Sequence, residues 1–133
     1  MEGVNKLEQA VLDKLLAGTD PALVVLRAQA DSSRVRDREY TGVGFWTFFT
    51  VPDNAPNAQP PDFLLDDVVA TMSGVAHGVG FSLLVKNGRL DMLEGFTYDQ
   101  PWPDESNEFE LTYTVEPREL RLVRLSLRSS RAD

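Results

Sequence analysis

The strongest constraint on the fold is a two-residue turn, Asn87-Gly88, between the apolar runs FSLLV and LDML. A two-residue hairpin of type I′ requires a positive φ at both central positions, which asparagine and glycine tolerate best. The sequence therefore predicts a β-hairpin in which Val85 lies opposite Leu90. An antiparallel sheet must be part of the fold.

Counting outward from this turn without a bulge pairs Phe81 with Glu94 and His77 with Tyr98. That register places the Glu94 carboxylate among apolar side chains on one face of the hairpin. A carboxylate in such surroundings must be paired, neutralised or placed at a cavity wall. Glu94 is therefore a candidate catalytic residue, and His77 and Tyr98 are two more, because a histidine beside a phenol can act as acid and base. No catalytic residue is assigned from the sequence. In the alternative interpretation Glu94 is structural, and a bulge at Gly95 turns it outward.

Two helices are predicted at the N-terminus. Apolar residues recur at helical spacing from residue 4 to residue 16, with Glu8 on the opposite, polar side, and Gly18 supplies a stop. Asp20 followed by Pro21 is typical of the N-cap and first position of a second helix. After residue 34 the pattern changes to that of strands.

Strand-like composition marks VRDREYTGVGFWTFFTV, and FELTYTV alternates as a strand does. Four prolines in residues 52 to 61 predict a surface loop. Residues 118 to 128 fit a strand or a short helix, and the alternation of Val123, Leu125 and Leu127 favours a strand. The prediction is a single α+β domain over residues 1–133, with two N-terminal helices packed on an antiparallel β-sheet of about five to seven strands.

The tetrapeptide GVGF occurs twice, at residues 42–45 and 78–81. A dinucleotide-binding fingerprint needs a third glycine and a following helix, and here both copies lead into predicted strands. Glycines at the start of a strand are typical of a bend, a bulge or a close backbone approach. We therefore predict a structural role for both copies, and no cofactor.

The net charge of −8 is concentrated in the middle of the chain. Residues 53 to 110 carry 11 acidic residues against Lys86 and Arg89. A surface of that sign repels phosphate backbones, so no nucleic-acid partner is predicted. A basic protein partner or a cationic ligand fits the charge, whereas solubility is the plainer explanation.

Trp102 lies between two prolines in YDQPWPDES, beside Asp99, Asp104 and Glu105. Such a tryptophan can anchor a protein partner, because aromatic residues dominate interface energetics and proline lowers the ordering cost. These four residues are the predicted binding residues. In the alternative interpretation Trp102 pins its own loop to the sheet. The acidic residues lack the spacing of a calcium loop, so no metal site is predicted.

Composition and missing motifs exclude several chemistries. The chain has no cysteine and one histidine, which excludes disulfides, thiolate nucleophiles and multi-histidine metal sites. Hydrolase elbows, metalloprotease helices and kinase signatures are absent. The N-terminus does not resemble a secretory signal, and no run of 18 apolar residues is present to span a membrane. We expect a cytoplasmic protein and favour a function other than catalysis.

The run HGVGFSLLVKNGRLDMLEGFTYDQPWP, residues 77 to 103, resembles a set of uncharacterised small bacterial proteins. Those proteins share a GxGF strand, an NG or DG turn and an LEG(Y/F)TYxxPWP ending. The resemblance implies a bacterial cytoplasmic origin and a unit formed by residues 93 to 102. It implies no catalytic role.

Three functions fit these observations. The preferred one is a non-enzymatic interaction module of the immunity or adaptor kind, which presents its acidic surface and Trp102 to a basic partner. The second is a small-molecule-binding protein or enzyme with a pocket on the sheet around Glu94. The third is a homodimer formed through an edge strand, for which the Arg-rich C-terminal strand is the candidate.

Overall fold

The structure is a computed structural model and describes residues 1–125. Two helices come first, as predicted, with bounds Lys6–Leu15 for α1 and Pro21–Ser32 for α2. Asn5 caps α1: its side chain accepts a hydrogen bond from the Glu8 backbone, and the Glu8 side chain accepts one from the Asn5 backbone. The side chain of Asp20 caps α2 in the predicted way. Neither described helix has the length and apolarity needed to cross a membrane.

Eight strands follow in the described residues, one more than the upper end of the expected range. The predicted α+β fold, with an antiparallel sheet after two helices, is confirmed. The bounds of the strands are Arg34–Tyr40 for β1, Gly44–Thr50 for β2, Phe63–Leu65 for β3, Val68–Met72 for β4, Val79–Lys86 for β5, Arg89–Thr97 for β6, Phe109–Tyr113 for β7 and Val123–Arg124 for β8.

The strand count is high because two positions of the sheet each hold a pair of short strands. The sheet runs in the order β1-β2-β6-β5-β3-β8, while β4 also pairs with β5 and carries β7 on its other side. Leu65 pairs with Leu83, and Val69 pairs with Gly80. Between these two pairs, the chain that runs beside β5 contains one residue more than β5 does. This extra residue divides that position of the sheet into β3 and β4.

Residues 118–125 are less regular than predicted. Residues 118–122 form neither helix nor strand, and β8 pairs with β3 over two residues. Val123 therefore lies in a strand as expected, whereas Leu125 follows its end. Leu127, the third residue of the predicted alternation, lies outside the described residues. The proline-rich segment between β2 and β3 is a loop, in agreement with the prediction.

The hydrophobic core lies between the two helices and one face of the sheet. α2 contacts β6, and α1 contacts β4 and β7. Burial of each large apolar side chain contributes roughly 2 kcal/mol of transfer free energy, so this layer is the main source of stability. The largest buried side chains in it are Phe63, Phe81, Leu12, Leu15, Leu16, Leu23, Leu26, Leu65, Leu83 and Leu93.

The turn between β5 and β6 has the predicted geometry. Asn87 has a φ of 55° and Gly88 a φ of 77°, both in the left-handed region. Val85 pairs with Leu90, as the turn requires. The local prediction from these two residue types is therefore confirmed.

Beyond that pair the predicted register is wrong by one residue. Leu84 pairs with Met92, so Asp91 is an extra residue in β6, and Glu94 pairs with Ser82. Side chains alternate between the two faces of a strand, so one extra residue reverses every side chain that follows. The bulge lies at Asp91 and not at the glycine after Glu94.

Burial of leucine side chains explains the bulge. Leu90 and Leu93 are three positions apart, an odd spacing that puts them on opposite faces of a regular strand. With Asp91 inserted, both leucines are buried in the core. The same shift spares Glu94 an uncompensated burial, which costs several kcal/mol for a carboxylate.

Gln29 fastens the hairpin turn to α2. This side chain is buried, and its Nε2 donates to the carbonyl oxygens of Pro56 and Gly88, each at 2.8 Å. Its Oε1 accepts the backbone N–H of Leu90 at 3.0 Å. One glutamine therefore joins the helix, the proline-rich loop and β6.

Replacement of Gln29 by leucine should lower the free energy of unfolding by about 2 kcal/mol, because the Leu90 N–H and the Pro56 carbonyl lose this side-chain partner and the Gly88 carbonyl keeps only the Ala58 N–H. Urea denaturation followed by circular dichroism measures the change. Ala28→Leu, at an exposed site of the same helix, is the control and should stay within about 0.5 kcal/mol of the parent. A loss no larger than the control's would contradict the assigned role.

Candidate functional site

The helices cover one face of the sheet, and the other face carries partly exposed aromatic side chains. Trp46 is 38% exposed and Tyr98 44% exposed, whereas Phe48, Met92 and Phe96 are half-buried. We call these five residues the outer patch. They come from β2, β6 and the residue that follows β6, which are neighbours in the sheet.

Strand alternation places the aromatic residues of β2. Phe45 and Phe49 point into the core and are buried, and Thr47 between them is buried as well. Trp46 and Phe48 therefore point to the uncovered face. The prediction did not name these two residues as site residues, although the alternation in GFWTFFT carries the signal.

The bulge in β6 completes the outer patch. Because Asp91 is extra, Leu93 points into the core, and Met92 and Phe96 point outward. Phe96 and Tyr98 meet edge to face, with ring centroids 5.5 Å apart and planes at 80°. A register without the bulge puts Phe96 on the opposite face, so the sequence alone does not place it in the outer patch.

The second glycine of each GVGF copy makes room next to Phe96. Gly44 and Gly80 pair with Phe96 from the two neighbouring strands. A Cβ at Gly80 would lie 2.6 Å from the Phe96 ring and 2.8 Å from the Tyr98 hydroxyl. A Cβ at Gly44 would collide with the carbonyl oxygen of Gly95. Both glycines therefore allow atoms of β6 and of Tyr98 to come close to the backbone of the neighbouring strand, which agrees with the structural role predicted for the two GVGF copies.

Glu94, on β6, points to the face of the sheet that the helices do not cover. It is half-buried, and its Oε2 accepts a hydrogen bond from Nε1 of Trp46 at 3.1 Å. Its cross-strand neighbours are Trp46 on β2 and Ser82 on β5. The predicted position among core-facing apolar side chains is wrong, because the bulge turns this residue outward.

The predicted pairing of His77 with Tyr98 across β5 and β6 is wrong. The pairing of β5 with β6 ends at Val79 opposite Thr97, so continuation would place Gly78 opposite Tyr98. His77 is exposed in the turn before β5. The predicted pair fails for the same reason as the rest of the register.

Trp102 packs against its own domain. Its backbone N–H donates to the carbonyl oxygen of Gly42 at 2.9 Å, and its ring meets Phe45 edge to face at 5.4 Å between centroids. The side chain is half-buried against the core. This geometry agrees with the interpretation in which Trp102 pins its loop, while Asp99 at the start of that loop is exposed.

Asp104 and Glu105 line a cleft of about 520 Å³ together with Glu108. A second cleft of about 590 Å³ shares Glu108 and includes Lys6 of α1. The four predicted binding residues therefore do not lie together. Asp104 and Glu105 line the cleft of about 520 Å³, Trp102 packs against the core, and Asp99 is exposed. Within residues 1–125, no three histidine or carboxylate side chains gather in a group that could hold a metal ion.

The fully buried carboxylate belongs to Glu8, which the sequence analysis placed on the polar side of α1. Its oxygens accept hydrogen bonds from the Arg38 guanidinium, at 2.6 and 3.0 Å, and from the Thr47 hydroxyl. The hydrogen bonds to Glu8 raise the pKa of the Arg38 guanidinium above its ordinary value. Every buried side-chain polar atom in the described residues has a partner, so this pair is structural.

Comparison with protein-family models, curated proteins and solved structures finds no match to this chain.

Proposed function

We propose that this chain is a non-enzymatic protein-interaction module that docks a partner on the outer patch. The observation that carries the proposal is that one sheet face holds three exposed or half-exposed aromatic rings around Trp46 with no helix above them in residues 1–125. Tyrosine and tryptophan are the residue types enriched at the energetic centres of interfaces. Contiguous exposed aromatic surface on a soluble domain marks such a site.

The outer patch stands mostly on interior strands of the sheet. Four of its five side chains belong to β2 and β6, and Gly44 and Gly80 pair with Phe96 from the two neighbouring strands. Aromatic side chains have few rotatable bonds and lose little side-chain entropy on association. We place the module in the bacterial cytoplasm, where an immunity-like or adaptor-like role fits a small acidic protein.

The two alternative functions have less support. A pocket around Glu94 was motivated by a buried position, and the side chain lies instead on the uncovered face beside Trp46. The two clefts of about 590 and 520 Å³ are lined by other residues. A homodimer through the Arg-rich C-terminal strand would have to use β8, which in the described residues spans only Val123–Arg124, and short, charged edge strands are typical of edges that resist association.

A photo-crosslinking amino acid at position 46, introduced into the protein in its source cell, should capture a discrete partner. The same amino acid at Val24, which is 47% exposed on α2, is the control and should not capture it. Calorimetry with the identified, purified partner should then show that Trp46→Ala weakens binding at least about 30-fold, as expected for a central aromatic residue. The free energy of unfolding should change little, because Trp46 is not part of the core.

Three results would count against docking on the outer patch. Equal capture from positions 46 and 24 would indicate nonspecific contact. A crosslink at position 46 to a second copy of this chain would replace the partner with a homodimer. An identified partner that binds Trp46→Ala as tightly as the parent would move the interface elsewhere on the molecule.

A further inference from the structure

Two carboxylates flank Trp46 on the uncovered face of the sheet. Glu39 on β1 is the cross-strand partner of Trp46 on one side, and Glu94 on β6 is its partner on the other. Side chains directly opposite one another in antiparallel strands have Cβ atoms about 5 Å apart. The three residues therefore form one row, with an indole between two acidic groups.

The hydrogen bond from Trp46 fixes one of these carboxylates beside the ring. Nε1 of Trp46 donates to Oε2 of Glu94 at 3.1 Å, so the carboxylate lies at the edge of the indole. Within residues 1–125, Oε1 of Glu94 accepts no hydrogen bond from a protein group. A negative charge with an unused oxygen thus lies next to an exposed aromatic face.

The neighbouring ring already holds a cation from the chain itself. The Arg36 guanidinium lies over Phe48 at 5.3 Å from the ring centroid. Among residues 1–125, no lysine or arginine lies over Trp46 in the same way. Of the two outward rings on β2, Phe48 is therefore covered by a cation of the chain and Trp46, which has two carboxylates beside it, is not.

We propose that Glu39, Trp46 and Glu94 form a receptor for a cationic side chain, lysine or arginine, of a protein partner. This inference rests on the proposed function and specifies the chemistry of the partner. A cation over the indole face gains a cation–π interaction, and the two carboxylates add attraction from both sides. The chain's net charge of −8 attracts a basic segment from a distance.

A direct test uses short peptides of known charge. Tetra-arginine is titrated into the ¹⁵N-labelled protein, and tetra-citrulline, which has nearly the same shape without charge, is the control peptide. The chain has two tryptophans, so the indole N–H signal of Trp102 is an internal reference, and Trp46→Phe assigns the other signal. We expect the Trp46 signal to shift saturably with tetra-arginine, little with tetra-citrulline, and the Trp102 signal to stay in place.

Charge variants show whether the two carboxylates act locally. Glu39→Gln and Glu94→Gln should each weaken tetra-arginine binding about 3-fold, and the double variant about 10-fold, as expected for exposed charge pairs. Glutamine at position 94 can still accept the hydrogen bond from Trp46. Asp31→Asn, at an exposed site on α2, changes the net charge equally and should leave the affinity within about 1.5-fold.

Several outcomes would overturn the receptor. These are an equal response to both peptides, no response of the Trp46 signal, or equal weakening by Asp31→Asn and Glu94→Gln. Its failure is distinguishable from failure of the proposed function. A partner captured at position 46 that binds the double glutamine variant normally refutes the receptor and leaves docking intact, whereas equal capture from positions 46 and 24 refutes docking and with it the partner's cationic side chain, even if tetra-arginine binds at Trp46.

Discussion

Replacement of Glu8 by alanine should lower the free energy of unfolding by about 3 kcal/mol, the scale seen when one partner of a buried ion pair is removed. Glu8 is fully buried and holds the Arg38 guanidinium, the Thr47 hydroxyl and the backbone N–H of Asn5. Alanine leaves all three without this partner and removes half of the α1 capping box. Urea denaturation followed by circular dichroism measures the loss.

Two further variants separate the causes. Glu8→Gln keeps the size of the side chain and part of the hydrogen bonding, so about half of the loss should remain. Asp13→Ala changes an exposed carboxylate on the same helix and should cost no more than about 0.5 kcal/mol. If Glu8→Ala and Asp13→Ala destabilise the protein equally, the ion pair does not stabilise the contact between α1 and the sheet.

Gly44→Ala is expected to destabilise the protein by about 3 kcal/mol, at the upper end of the range for overpacking. The new methyl group would collide with the carbonyl oxygen of Gly95, which belongs to the backbone of β6. A backbone atom cannot rotate away, so β2 must separate from β6 at this point. Equilibrium unfolding in urea gives the magnitude, and a lower midpoint with an unchanged slope would show a loss of stability without a change in the surface exposed on unfolding.

Gly80→Ala is the matched variant, because this glycine lies on the other side of Phe96. Its methyl group would meet the Phe96 ring at 2.6 Å and the Tyr98 hydroxyl at 2.8 Å, and both are side chains that can rotate. We expect a loss of about 1 kcal/mol together with weaker binding at the outer patch. Equal losses for the two alanine variants would show that the strand spacing at Gly44 adapts more easily than the geometry indicates.

Local patterns were sufficient to predict the helices and the hairpin turn. Asp20 and Pro21 mark the start of α2, and Asn87-Gly88 adopts the left-handed conformations that its residue types tolerate. Each of these features depends on residues within one turn of the backbone. For that reason the α+β class and the antiparallel sheet followed from sequence alone.

The candidate site was only partly predictable. Alternation in GFWTFFT is enough to separate Trp46 and Phe48 from the core-facing residues of β2. Phe96 and Glu94 required knowledge of the bulge, whose one signal in the sequence is the odd spacing between Leu90 and Leu93. Trp102 has the composition of an interface anchor, and only its contact with Phe45 shows where the ring lies.

The sequence by itself determined which segments become helix, turn and strand, because those choices follow from residues that are neighbours in the chain. The tertiary structure alone decided which way Glu94 points and that Glu8 is buried. One extra residue in β6 reverses the faces, and the register that prevails is the one that buries both leucines of that strand. The carboxylate of Glu8 accepts hydrogen bonds from Arg38, which lies thirty residues further along the chain. Both outcomes depend on contacts between distant residues, which form only when the helices pack on the sheet.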